Sequence, residues 1–242
     1  MTRARDMANF ASGEIFTSAD HTKLDGIATG ATVYVHPTGN GNNHIPVDGA
    51  SGQALLYASA GTAAWGVAKT AGRETIWVPS SAMQPTVSNG CSALTTVETT
   101  AARPDMVVLD FDASADEFAQ FSVGFPKSWD EGTVTFQFYW SSIAATTGVV
   151  MKLEGVAVGD NDTIDVAYGT AVSLLDDAQG AVEEMLVSPE STAITIAGSP
   201  AVDQLCYFRI GRNVSDSNDD MAGDCRLHGI KIFFTTDAAS DA

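Results

Sequence analysis

The sequence predicts a mostly β protein: a short N-terminal shaft, made of a small helix and a hairpin, followed by an antiparallel β-sandwich. Segments in which apolar and polar residues alternate recur after about residue 74, and Gly-, Pro- and Asp-rich turns separate them, which is the pattern of a sandwich. Apolar residues make up 45% of the 242 residues and charged residues 17%, so the chain can bury a core. A jelly roll is the predicted topology, since it recurs among β-sandwich modules.

The first predicted element is a short helix that begins at Ser18 and ends at Gly26. The Ser18 hydroxyl can cap the first turn, Asp20 suits the positive end of the helix dipole, and Gly26 is a natural stop. An isolated helix below roughly 12 residues is marginal in water. Its apolar residues form no sustained heptad, which excludes a long coiled coil but not a short symmetric bundle. We therefore expect the helix to be stable only against copies of itself.

A hairpin is predicted downstream of the helix. An apolar run at residues 55–57 is flanked by glycines at positions 49, 52 and 61, and the segment ends at Trp65. This pattern favours two short strands joined by a turn. This stretch is too short and too polar to build a core by itself. It therefore belongs with the helix in one shaft.

The sandwich is predicted from strands that alternate in hydrophobicity. In residues 133–140, Val134, Phe136, Phe138 and Trp140 share one face, and Trp77 and Trp140 are expected in the core. One segment, residues 171–186, is predicted to be helical. The predicted strands are residues 75–78, 106–111, 118–125, 133–140, 149–158, 194–197, 205–214 and 227–235.

Charge and length exclude several classes of partner. The formal net charge is −18, and the twelve Lys and Arg residues are scattered, whereas nucleic-acid binding requires a basic patch. No apolar run approaches the roughly 18 residues that a bilayer span requires. We therefore expect no nucleic-acid partner and no membrane insertion.

The three cysteines show no paired spacing, so reduced thiols are expected, with a Cys206–Cys225 bridge as the alternative.

Three N-terminal segments resemble parts of bacteriophage tail-fibre proteins. Residues 18–32, SADHTKLDGIATGAT, are similar to the SADKTKLDGIEAGA element of those fibres. Residues 49–65 are similar to a second fibre element, and residues 1–9 resemble the start of many phage appendage proteins. The resemblance covers about the first quarter of the chain. It implies a homotrimeric fibre with a receptor-binding tip, made in the host cytoplasm and carried on the virion as a tail appendage.

The resemblance gives each region of the chain an expected role. Residues 1–14 become an arm that attaches to other tail or baseplate proteins, residues 15–66 the trimeric shaft, residues 67–73 a linker, and residues 74–242 the β-sandwich tip. The tip is expected to bind a host-surface glycan or lipopolysaccharide. Residues expected at the trimer interface are Phe16, Leu24 and Ile27.

The candidate receptor-binding residues are two aromatics and two carboxylates. Trp129 lies in a predicted loop, and Tyr168 follows an acidic loop. A partly exposed aromatic ring at such a position can stack on a sugar. The carboxylates of Asp160 and Asp162 can accept hydrogen bonds from sugar hydroxyls. Core packing of Trp129 is the alternative, because Trp in a sandwich is usually buried.

No catalytic, cofactor or metal residue is predicted. The acidic segments at residues 159–165 and 215–224 fail the EF-hand pattern and are interpreted as polar turns, with a calcium site as the alternative. Nucleophile elbows, phosphate loops and zinc patterns are missing from the sequence. Two alternative functions stay open: a structural head fibre or tail component without a receptor role, and a tail spike that degrades polysaccharide.

Overall fold

The computed structural model describes residues 17–31, 49–51, 53–59, 62–67, 71–143 and 146–241. The chain divides into two units, Met1–Ala68 and Lys69–Ala242. The predicted arm, Phe16 and the side chain of Ile27 lie outside the described residues. Gly72 belongs to the second unit, since its amide donates to Thr236 Oγ1 at 2.9 Å. The sandwich therefore begins slightly before the predicted residue 74.

Helix α1, Ser18–Ala31, is longer than predicted. The cap is Thr17 rather than Ser18: the Asp20 amide donates to Thr17 Oγ1 at 3.3 Å, and the Thr17 amide donates to the Asp20 carboxylate at 3.0 Å. This reciprocal pair fixes the start of the helix. The helix continues past Gly26 because one interior glycine costs only about 1 kcal/mol.

The predicted hairpin is confirmed. Strands β1, Gln53–Ser59, and β2, Thr62–Val67, pair antiparallel with Leu55 opposite Trp65. Leu24 in α1 is 57% exposed, and Leu55 and Leu56 are each 43% exposed. The single chain therefore leaves apolar side chains of this unit in solvent.

The second unit is a β-sandwich, and its described residues include a short 3₁₀ turn, Ser80–Ala82. Its strands are β3 Arg73–Pro79, β4 Gln84–Pro85, β5 Thr95–Glu98, β6 Asp105–Phe111, β7 Phe118–Gly124, β8 Thr135–Ser141, β9 Gly148–Val158, β10 Val172–Asp177, β11 Leu186–Val187, β12 Leu205–Arg212 and β13 Cys225–Thr235.

The strand order is that of a jelly roll. One sheet runs β10-β9-β12-β7-β4, and the other runs β11-β8-β13-β6-β5 with β3 also paired to β13. From β6 to β13 the chain alternates between the two sheets, except that β9 and β10 form a hairpin within one sheet. Two Greek keys wound together give this order. The predicted antiparallel sandwich is confirmed.

The core lies between the two sheets and follows the predicted alternation. Phe136, Phe138 and Trp140 of β8 are fully buried. On the facing sheet, the rings of Phe121 and Phe208 stack with centroids 5.4 Å apart. Aromatic residues therefore supply much of the apolar area that stabilises the fold.

Three sequence predictions are wrong in this unit. The predicted strand at residues 194–197 is not formed: Ile194 and Ala197 make only isolated β-bridges, to Val134 and Val156. The predicted helix at residues 171–186 contains strand β10, in which Val172 and Leu174 pack against the core while Ser173 and Leu175 face solvent. Period-two burial of this kind requires a strand. Trp77, predicted in the core, is 46% exposed, because it lies on the outward face of β3.

The three cysteines are free and buried. Cys206 belongs to β12 and Cys225 to β13, in opposite sheets, and the alternative bridge between them is not formed. Burial raises the pKa of Cys91 to about 12 and the pKa of Cys206 to about 11. All three are therefore core thiols. In the part of the chain that the structure describes, no helix is long and apolar enough to traverse a bilayer.

The acidic segment before β13 is fastened to the fold by a buried ion pair. Arg212, at the end of β12, is fully buried, and its Nη2 donates to Asp219 Oδ1 at 2.7 Å. The same carboxylate accepts from the Val150 amide at 2.9 Å, and Asp220 accepts from the Gly148 amide at 2.7 Å. The segment interpreted as an acidic turn is therefore a structural strap against β9.

Candidate functional site

The outer face of the five-stranded sheet carries a polar and aromatic surface, which we call the groove face. Alternation along β7 and β12 buries one set of side chains and turns the other set outward. In the antiparallel register, Tyr207 lies opposite Ser122, and Arg209 lies opposite Gln120. The outward residues of the groove face are Gln84, Phe118, Gln120, Ser122, Glu154, Tyr207 and Arg209.

A groove of about 340 Å³ opens on this face between the 3₁₀ turn and β12. Its size lies within the range of small-ligand sites, roughly 300–1,000 Å³. Two amide side chains, two serine hydroxyls and a phenol belong to the residues along its walls. The lining residues are Ser81, Ala82, Met83, Gln84, Gln120, Phe121, Ser122 and Tyr207.

Strand pairing sets the position of each polar group in the groove. Gln84 of β4 lies opposite Gln120 of β7, so the two amides are cross-strand neighbours on the same face. Tyr207 of β12 is half-buried and borders the groove from the other side. Since β7 lies between β4 and β12 in one sheet, hydrogen-bonded strands position Gln84, Gln120, Ser122 and Tyr207 side by side.

Arg209 forms the boundary of the groove face. Its Nε donates to Glu154 Oε1 at 2.5 Å, and its guanidinium lies 4.3 Å from the Phe118 ring centroid and 4.9 Å from that of Tyr168. Stacking and ion pairing together fix the orientation of this side chain. Arg209 therefore presents a positioned guanidinium edge beside Gln120 rather than a mobile charge.

Tyr168 contacts the same Arg209 side chain. Burial raises the pKa of the Tyr168 phenol, and the nearby Arg209 charge opposes that rise, while Glu154 and Tyr207 add to it. The phenol is therefore protonated at neutral pH and can donate a hydrogen bond. The predicted candidate Tyr168 thus lies next to residues that the sequence analysis did not select.

Trp129 lies elsewhere, in the core. It is 1% exposed, and its ring stacks on Phe125 with centroids 4.2 Å apart. It also forms a β-bridge with Thr236. The predicted ligand-stacking role needs an open ring face, so the structure favours the core alternative for this residue. The reason is that the loop after β7 folds inward over the end of the sandwich.

Asp160 and Asp162 lie in the turn that follows β9. The Gly159 amide donates to Asp162 Oδ2 at 2.9 Å, and Asn161 donates to Asp160 Oδ2 at 3.2 Å. Asn161 has a positive φ of 64°, a conformation that suits Asn in tight turns. Both carboxylates are exposed, and they take part in local turn contacts. Within the described ranges, no group of three or more His, Cys, Asp and Glu residues is placed to hold a metal ion.

Sequence reasoning missed the groove residues for an identifiable reason. The alternation in residues 118–125 and 205–214 predicts which side chains point outward, Gln120, Ser122, Tyr207 and Arg209 among them. It does not reveal that β7 and β12 are neighbours, since 80 or more residues of chain lie between them. The sequence favours loop aromatics instead, because a loop position can be recognised from local sequence alone.

Comparison with known proteins gives neither a family nor a curated relative. The sequence matches no protein-family profile and none of the curated proteins with which it was compared.

Solved structures give distant similarities to the sandwich. A xylan-binding domain from CBM 22 is 12% identical, with a TM-score of 0.37 over 65% of this chain and 88% of that domain. The family 11 carbohydrate-binding module of Clostridium thermocellum, bound to a mixed-linked tetrasaccharide, is 9% identical, with a TM-score of 0.35 over 66% of this chain and 95% of that module. A cycloisomaltooligosaccharide glucanotransferase of Paenibacillus sp. is 10% identical, with a TM-score of 0.36 over 61% of this chain and 17% of that enzyme. Scores at this level establish neither a shared fold nor a shared activity.

Proposed function

We propose that the Lys69–Ala242 unit is a non-catalytic carbohydrate-binding module whose ligand occupies the groove face. The observation that carries this proposal is the convergence of Gln84, Gln120, Ser122 and Tyr207 in one groove on a rigid sheet. Amides and hydroxyls both donate and accept hydrogen bonds, which matches the mixed donors and acceptors of sugar hydroxyls. An aromatic ring beside them offers an amphipathic surface for the C–H face of a sugar.

The extent of the groove face supports an oligosaccharide rather than a single sugar. The groove ends at Tyr207, and the ordered row of Arg209, Glu154 and Tyr168 continues the polar surface across β12 and β9. A chain of sugars lying across the strands can contact both parts. Because these side chains are already held by their neighbours, little conformational entropy is lost on binding.

The chemistry of the groove favours binding over hydrolysis. Glycoside hydrolysis uses two carboxyl groups on either side of the scissile bond, and the described residues that line the groove include no Asp or Glu. Glu154, on the neighbouring strand, is held by Arg209. A polysaccharide-degrading tail spike remains the alternative from another class, and product release from the purified chain would favour it.

The binding test compares the wild-type chain with Tyr207→Ala and Gln120→Ala on an array of bacterial surface glycans. We expect each substitution to weaken the binding of the recognised glycan about tenfold or more, since the ring and the amide line the groove. Isothermal titration calorimetry on the best array glycan gives the affinity. Gln137→Ala is the matched control, because Gln137 lies on the outer face of the other sheet. Equal affinity in all four proteins would contradict the groove assignment.

For the whole chain, the proposal is a homotrimeric bacteriophage fibre whose N-terminal arm attaches to the virion and whose sandwich contacts the host surface. The support is the fibre-like sequence at residues 18–32 together with the exposed Leu24, Leu55 and Leu56 of the first unit. Three copies would bury these side chains and present three binding sites, which raises avidity without new contacts. A structural fibre without a receptor role remains the alternative within the same class.

The oligomer test is sedimentation equilibrium of the full chain. A trimer has three times the monomer mass of 25.2 kDa. We expect this mass for the wild type and a shift toward monomer for Leu24→Asp, because a charge at a helix interface is costly to bury. Ser18→Asp is a matched control at the start of the same helix. A monomeric wild type at high concentration would rule out the trimer.

A further inference from the structure

A second aromatic surface lies on the outer face of the six-stranded sheet. We define the Trp77 platform as Trp77 of β3, Tyr139 of β8 and Lys231 of β13. The Trp77 indole is 46% exposed, and its ring meets the Tyr139 ring edge-on, with centroids 5.0 Å apart and planes at 85°. A large, half-exposed indole on the outer face of a sheet exposes apolar area that a ligand can cover.

Gly229 makes room for this indole. A Cβ atom at Gly229 would lie 2.7 Å from Cη2 and Cζ2 of Trp77 and 2.7 Å from the Val78 carbonyl oxygen. The glycine has a φ of 154° and sits at a register shift in β13. Trp77 therefore lies across the backbone of the neighbouring strand. Its position is fixed before any ligand arrives, which lowers the entropic cost of binding.

The platform carries a cation, Lys231, that forms no ion pair with an acidic side chain in the described ranges of the chain. Lys231 lies opposite Trp77 on one side and Gln137 on the other, and its Nζ is 5.2 Å from the Tyr139 ring centroid. Lys231 has no ion-pair partner among the residues that the structure describes, whereas Arg73, on the same face, pairs with Glu190. In a chain with a net charge of −18, an unneutralised ammonium next to an exposed indole is a specific feature.

We propose that the Trp77 platform is a binding site for an acidic sugar residue, one that carries a carboxylate on a pyranose ring. The C–H face of the sugar covers the indole, and its carboxylate pairs with the Lys231 ammonium. Tyr139 holds both side chains, the indole by an edge contact and the ammonium by a cation–π contact. Charge complementarity selects an acidic sugar over a neutral one, because the ammonium has no carboxylate partner among the described residues.

This site is independent of the groove face. The platform lies on β3, β8 and β13, and the groove lies on β4, β7 and β12, in the other sheet. The platform proposal can therefore be contradicted while the groove proposal is supported, and the reverse. Together they would let one sandwich contact a branched or acidic polysaccharide on two sides.

The test is isothermal titration calorimetry of the full chain with an oligogalacturonate, and with the neutral galacto-oligosaccharide of the same length and linkage. We expect the oligogalacturonate to bind more tightly, and Trp77→Ala to weaken that binding about tenfold or more. Lys231→Met should remove the preference for the acidic sugar, and Lys231→Arg should retain it. High salt should weaken the acidic ligand and leave the neutral one unchanged.

Two controls separate this site from folding effects and from the groove. Trp77→Phe keeps an aromatic, strand-forming side chain and should lose less affinity than Trp77→Ala, while a chain with Tyr207→Ala should still prefer the oligogalacturonate to the neutral oligosaccharide, because that preference belongs to Lys231. Sedimentation of each variant reports its oligomeric state. The proposal is overturned if the two oligosaccharides bind equally, if neither binds, or if Trp77→Ala changes the oligomeric state and not the affinity.

Discussion

At the scale of single residues, Arg212 shows how the sandwich tolerates a buried charge. Its guanidinium donates to the Asp219 carboxylate and to the carbonyl oxygens of Phe111, Met221 and Gly223. A buried ion pair is stabilising only when the remaining donors and acceptors are also satisfied, and this network satisfies them. The pair ties the end of β12 to the strap before β13, and hence both sheets to one another.

Removing one partner of this ion pair should be strongly destabilising. We expect Arg212→Met to lower the free energy of unfolding by about 3–5 kcal/mol, because the Asp219 carboxylate is left buried and unpaired. Urea denaturation followed by circular dichroism measures the change. Arg73→Met is the matched control, since the Arg73–Glu190 pair is partly exposed and exposed pairs contribute about 0–1 kcal/mol. Similar losses in the two variants would contradict the structural role of Arg212.

At the scale of elements, β13 organises the six-stranded sheet. It pairs with β8 along one edge, and with β6 and then β3 along the other. The register shift between Leu227 and Gly229 marks the point where the partner changes from β6 to β3. Such a shift re-aims the side chains around it, and here it leaves the open space that Trp77 occupies.

Gly229 should therefore resist substitution. We expect Gly229→Ala to cost about 1–3 kcal/mol of stability, because the added methyl group meets the Trp77 ring and the Val78 carbonyl oxygen in a strained backbone conformation. Thermal unfolding monitored by Trp fluorescence reports the change. Gly124→Ala, in β7, is the matched control, since a Cβ atom there meets no atom within 4 Å. If Gly229→Ala left the stability unchanged, the backbone would have to relax freely around the added methyl group.

The elements also show what the sequence could predict. Strand alternation located β8 and most of the other long strands, because their buried positions are apolar and alternate with polar ones, as at Phe136 and Phe138. It failed for β10, where Asp176 occupies an inward position and accepts a hydrogen bond from Trp140 Nε1 at 2.7 Å. A polar residue facing inward breaks the pattern, and only the tertiary contact explains it.

The candidate site was harder to predict than the fold. Tyr168 was selected from its position after an acidic loop, and the structure places it against Arg209. Gln84, Gln120 and Tyr207 come from strands far apart in the chain. Their meeting depends on which strands are neighbours, and a single sequence carries no direct signal of that pairing.

At the scale of the whole molecule, the chain combines two different kinds of unit. The first leaves Leu24 and Leu55 exposed in the single chain, and the second buries an extensive aromatic core. A net charge of −18 favours solubility and disfavours nucleic acid and anionic membrane surfaces. The proposed fibre assigns assembly of copies to the first unit and ligand recognition to the second.

The most direct test of the central claim is to map the bound glycan on the folded chain by ¹H–¹⁵N chemical-shift perturbation. With the neutral glycan selected on the array, the account predicts shifts concentrated at Gln84, Gln120, Ser122 and Tyr207, with little change along β8 and β13. Shifts confined to the outer face of the six-stranded sheet, or no shifts at saturating glycan, would contradict the assignment of the groove face as the carbohydrate site.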